Sequence, residues 1–165
     1  EGATISGMLA AGELDGVMGP RAPSCFERGD PAIRWLFEDP TAEATAWFAT
    51  TRIFPVMHVL GIRKSLVQAN PWLPVAVMKA FSASKSIALA RLTDTSATKV
   101  TLPFVEENLR RARQLMCEDF FSYGLDANRH VFDYFLRHHH AQGLSARLLT
   151  PEELFHPSTL ESHKV

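Results

Sequence analysis

Apolar and polar positions change period along the chain. Residues 3–11 form a short helical stretch that Gly12 stops. Residues 14–18 are an apolar run with one Asp and one Gly, which predicts a short buried strand. Gly19-Pro20 ends it, and Pro20, Pro23, Gly29 and Pro31 punctuate an irregular segment. Residues 33–37 predict a second short strand. Asp39-Pro40-Thr41 predicts a helix start, continuing through residues 43–49, because a side-chain oxygen there can accept free first-turn amides. The strongest strand signal is 54–62, where Val56, Val59 and Ile62 are β-branched. Pro55 gives it an edge position or a start just after it.

Helical spacing dominates the remainder. Asn70-Pro71-Trp72-Leu73-Pro74 opens a long helix over about 71–92, with Val77, Phe81, Ile87 and Leu92 apolar and Lys79 and Lys85 solvated. A Thr/Ser-rich loop over 93–101 leads to Pro103 and a helix over 103–116, where Glu106 and Arg110 stand four apart in the favourable order. An aromatic turn over 117–125 precedes a helix from Leu125 to about Gln142, closed by Gly143. Thr150-Pro151-Glu152-Glu153 caps a short terminal helix. Strands alternating with helices favour an α/β architecture, although a self-sufficient sheet needs more strands than these.

Composition narrows the class. The chain has 165 residues, 46% hydrophobic and 21% charged, the balance of a globular domain. Its 17 basic and 18 acidic residues leave a net charge of −1, with no general pull toward nucleic acid or anionic membrane. Charge or proline interrupts the longest apolar stretches well before about 18 residues, so no transmembrane helix is expected. Cys25 and Cys117 cannot build a metal cluster alone. The chain begins at Glu1 with no visible targeting peptide, which suggests a start inside a longer protein.

Three constellations carry candidate chemistry. Arg21, with its planar guanidinium, follows a predicted strand together with Ser24, a place where α/β sheets bind ligands. The plain alternative is a proline-rich loop with a surface arginine. His58 lies in the 54–62 run, as a general acid or base or as a core histidine bonded to backbone. His138-His139-His140 point in three directions from one helix and lack the i, i+4 spacing of metal ligands. The acidic neighbours of Cys117 disfavour a thiolate. Arg110, Arg111 and Arg113 read as a solvated helix face.

Several strings together resemble those of the 4,5-dihydroxyphthalate decarboxylases. They are Gly12-Glu13-Leu14-Asp15-Gly16, Arg21-Ala22-Pro23-Ser24-Cys25-Phe26 and Ile53-Phe54-Pro55-Val56-Met57-His58. Further along come Met116-Cys117-Glu118-Asp119-Phe120, Tyr123-Gly124-Leu125-Asp126-Ala127-Asn128-Arg129 and Pro151-Glu152-Glu153-Leu154-Phe155. Arg52 and Cys117 stand where the pattern leads one to expect glycine, and Arg52 adds a charge that bears on substrate choice.

The resemblance implies an α/β fold of the type II periplasmic-binding-protein kind, here a C-terminal half with few strands and a helix-rich end. Residues 1–37 would end the second lobe, 38–52 would cross between lobes, and 53–165 would complete the first lobe. It implies a cytoplasmic carboxy-lyase converting 4,5-dihydroxyphthalate to 3,4-dihydroxybenzoate and carbon dioxide in phthalate degradation. No metal or other cofactor and no nucleic-acid or membrane partner is expected, and a homo-oligomer stays open. Under this resemblance His58 is the catalytic residue, and Arg21, Ser24, Arg52 and Phe54 contact the aromatic carboxylate. The alternative is a non-catalytic binding protein for a small organic acid.

Overall fold

The computed structural model describes residues 2–96 and 100–160. Its helices run α1 (Ile5–Ala10), α2 (Ser24–Glu27), α3 (Pro40–Thr51), α4 (Lys64–Ala69), α5 (Leu73–Leu92), α6 (Val105–Leu115) and α7 (Leu125–Ala141). Two 3-10 turns follow, Pro151–Leu154 and Pro157–Thr159. The described residues contain no strand, which overturns the expected α/β, periplasmic-binding-protein-like class. Stretches 14–18, 33–37 and 54–62 are all irregular. The physical reason is pairing. A β-branched run becomes a strand only when a neighbouring backbone takes up its N–H and C=O groups. Among the described residues, no backbone hydrogen bond joins 54–62 to any other segment. Met18 lies exposed where a buried strand was expected, and Leu36 is exposed in the second expected strand.

The chain divides into two compact units, one up to Ala44 and one from Thr45 onward. In the first, α1 packs on α2. Thr4 Oγ1 caps α1 by accepting the Gly7 amide at 3.0 Å. Ser6 Oγ accepts the Cys25 amide at 2.9 Å, and Cys25 is fully buried. Phe26 and Trp35 meet edge to face at 5.0 Å.

The start of α3 follows its sequence signal. Asp39 Oδ1 accepts the amides of Thr41 and Ala42 at 2.9 and 3.0 Å, and Pro40 takes the first helical position. In the second unit, α7 supplies most of the core through Leu125, Val131, Phe132 and Leu136, joined by Leu109 of α6 and by Ile53. Gly124 enters α7 at φ +90, and a Cβ there would stand 3.4 Å from Met78 Cε of α5. Buried Asn128 closes this entry: its Nδ2 donates to the carbonyls of Ser122 and Gly124 at 3.0 and 2.9 Å.

The C-terminal turns fasten onto α7. Thr150 at the N-cap and Pro151 in the first turn follow the sequence signal, and Thr150 with Glu153 forms a capping box. Arg129 pairs with Glu152, and Phe132 meets Phe155 at 5.1 Å. Hydrogen bonds from the Arg147 guanidinium, then from the Thr150 amide, push the Glu153 carboxyl down to about 2. Its own backbone amide, then Arg129, lowers the Glu152 carboxyl.

Two features of α5 bear on its sequence reading. By length and composition alone it is long and apolar enough to cross a membrane, with Lys79, Lys85 and Arg91 as its charged residues. Lys85 is not solvated but ion-paired to Asp119, with its side chain 15% exposed.

Candidate functional site

The sequence-derived site residues fall in both units. Arg52, Phe54 and His58 share the stretch that leaves α3. Helix α3 ends when Arg52 turns to φ +56, the left-handed conformation that glycine usually takes at a helix end. Its amide still donates to the Phe48 carbonyl at 2.8 Å. Its own carbonyl accepts Nε2–H of His130, on α7, at 2.8 Å. The Arg52 guanidinium lies over the Phe48 ring, 5.6 Å from the centroid. Next in line, the Ile53 amide donates to Thr51 Oγ1 at 3.2 Å while its side chain is buried. The elbow is therefore pinned at three consecutive residues, Thr51, Arg52 and Ile53.

Phe54 leads from the elbow to an aromatic turn. Its ring meets Phe121 edge to face at 5.5 Å, and Phe121 meets Phe120 at 4.9 Å. Lys85 Nζ organises this turn by donating to both Asp119 oxygens at 2.7 and 2.8 Å and to the Phe121 carbonyl at 3.0 Å. The same ammonium stands 4.5 Å from the Tyr123 ring centroid. Phe121 and Tyr123 remain about half exposed. Beyond Phe54 the chain is exposed through His58, so the core-histidine reading does not hold.

Arg21 and Ser24 belong to the first unit. Both are exposed, and the Ser24 hydroxyl shares a hydrogen bond of 2.9 Å with Ser6. Cys25 packs in the interior, whereas Cys117 is exposed. Each histidine of the triplet has a separate neighbour. His138 lies on Tyr134, His139 on Phe135, and His140 Nδ1 donates to the Ser145 carbonyl at 3.1 Å. Among the described residues, no three His, Cys, Asp or Glu side chains gather as a metal site. A surface cavity of about 510 Å³ is lined by Thr93, Arg110, Arg113 and Glu118 among others, and none of the predicted site residues lines it. Arg113 there pairs with Glu118 at 2.9 Å, so that part of the arginine run is engaged rather than solvated.

No family model matches the chain. It is, however, 60% identical over all 165 residues to a 4,5-dihydroxyphthalate decarboxylase of Comamonas testosteroni. This chain is a relative of that decarboxylase. It spans half of the relative's length. A 4,5-dihydroxyphthalate decarboxylase of Pseudomonas putida is 58% identical over 45 residues, covering 27% of this chain and 17% of that protein. The resemblance read from the motif strings therefore holds across the whole sequence.

Sequence reasoning missed Lys85, Asp119 and His130. A single lysine on an amphipathic helix carries no local mark of its partner, and Asp119 lies 34 residues away. His130 and Arg52 are 78 residues apart. The one available signal was the clustering of Asp119, Phe120 and Tyr123 within strings that carry the resemblance.

Proposed function

We propose that the protein containing this chain is a carboxy-lyase that converts 4,5-dihydroxyphthalate to 3,4-dihydroxybenzoate and carbon dioxide, in the cytoplasm, as a step in phthalate degradation. The observation that carries this reading is 60% identity, sustained over all 165 residues, to a curated decarboxylase of that substrate.

The substrate's own symmetry helps the chemistry. Each carboxylate has a ring hydroxyl para to it, and losing either one gives the same product. Ionisation of that hydroxyl pushes electron density onto the carbon bearing the leaving carboxylate. An acid protonates this carbon, giving a dienone. The carbon–carboxylate bond then breaks, its electron pair restores the aromatic ring as a phenolate, and carbon dioxide departs. The phenolate regains a proton, so one proton is consumed per turnover. The site must supply an acid, a clamp for the retained carboxylate and a poorly hydrated place for the leaving one.

In this reading His58 delivers the proton, and its exposed position leaves the imidazole accessible to a ring. Arg21 clamps a carboxylate, with Ser24 adding a hydrogen bond. Arg52 supplies a second guanidinium, and Phe54 offers an aromatic face for the substrate ring. Turnover in deuterium oxide tests the proposal. The product should carry one deuterium on the ring carbon that lost its carboxylate. Saturable binding of the diacid with unchanged substrate recovered would contradict it and leave a binding protein instead.

A further inference from the structure

His130 is an exposed histidine on α7 that the proposed chemistry leaves without a role. Its Nε2 nevertheless reaches across 78 residues of sequence to the Arg52 carbonyl at 2.8 Å. Arg52 is one of two non-glycine residues with positive φ among those described. An L side chain adopts that conformation rarely, so surrounding structure has to hold it. The helix end alone does only part of this, by engaging the Arg52 amide with Phe48. The carbonyl of Arg52 faces the next segment, and residues 54–62 make no backbone hydrogen bond to other described residues. The brace from α7 therefore acts where the chain passes from a pinned elbow to an unpinned run.

We infer that His130 is a positioning residue for the elbow: by donating to the Arg52 carbonyl it holds Arg52 left-handed and so places the guanidinium for an aromatic carboxylate. The inference rests on the reading of Arg52 as a substrate contact. His130 itself touches no substrate in this account. Ile53 burial and the Phe54–Phe121 contact are the competing anchors. If they suffice, the imidazole is dispensable.

The test uses the intact protein with His130→Phe, which keeps a ring but loses the donor, and His130→Gln, whose amide can donate to the same carbonyl. In the Phe variant KM for 4,5-dihydroxyphthalate should rise about fivefold or more while kcat stays within about twofold, because only placement of a binding group is lost. The amides of Arg52 and Ile53 should exchange with solvent roughly tenfold faster, with α7 amides unchanged. The Gln variant should restore both readouts. On an Arg52→Gly background, where glycine needs no brace, His130→Phe should change the Ile53 exchange little. Wild-type KM in the Phe variant overturns the inference, as does a full exchange effect on the glycine background. A wild-type protein with no turnover would refute the decarboxylase reading itself, and the exchange readout would still decide whether His130 holds the elbow.

Discussion

At Arg52 a side chain able to hold a carboxylate sits on a backbone angle that glycine prefers. The resemblance leads one to expect glycine there, and φ +56 gives the physical reason for that expectation. Arginine at this position exchanges conformational ease for a positive charge. The neighbouring roles are separable by kinetics. Arg21→Ala should raise KM about tenfold or more, since a charge-assisted hydrogen bond to a carboxylate is lost. An unchanged KM would remove Arg21 from the site. His58→Gln should lower kcat at least about tenfold, within the range seen when a general acid is lost. Near-wild-type turnover would exclude His58 as the acid. Arg52, Phe54 and His58 were legible because they sit within or beside one motif string. Lys85 and His130 were not, because what distinguishes each is a partner distant in sequence.

Helices were legible where their ends carry chemistry. Asp39 and Pro40 start α3, Gly143 closes α7 at φ +74, and Thr150 with Glu153 caps the terminal turn. Strands were not legible, because a run such as 54–62 states a preference but not a pairing partner. Asn128 illustrates an element held by one buried amide. Replacing it with Ala strands the Ser122 and Gly124 carbonyls and should cost about 2 kcal/mol, read as a lower denaturant midpoint at unchanged slope. An unshifted midpoint would mean that the turn does not depend on it. The terminal turns should respond to acid. Glu152 and Glu153 both hold folded values below the ordinary 4.5. Their contribution is therefore complete above about that pH and fades as the pH falls toward 2. Amide protection of the Thr150–Glu153 capping box should decline over that window in the wild type. It should already be reduced at neutral pH in Glu153→Gln, and equal protection in the two proteins would contradict the assigned role of the carboxylate.

At the scale of the molecule, the chain is a set of helices in two units, with Arg21 and Ser24 in one and Arg52, Phe54 and His58 in the other. The pattern does not make an α/β fold, because apolar runs flanked by glycine and proline become strands only when a sheet receives them. Met57, Val59 and Leu60 instead stay largely exposed. The functional reading does not depend on that class. It stands on identity distributed over the whole chain, which spans half of the related decarboxylase. The most direct measurement is carbon dioxide released from 4,5-dihydroxyphthalate by the intact protein, counted against 3,4-dihydroxybenzoate formed. The account predicts continuous turnover with equal amounts of the two. Tight, saturable binding with no carbon dioxide above the protein-free rate would contradict it.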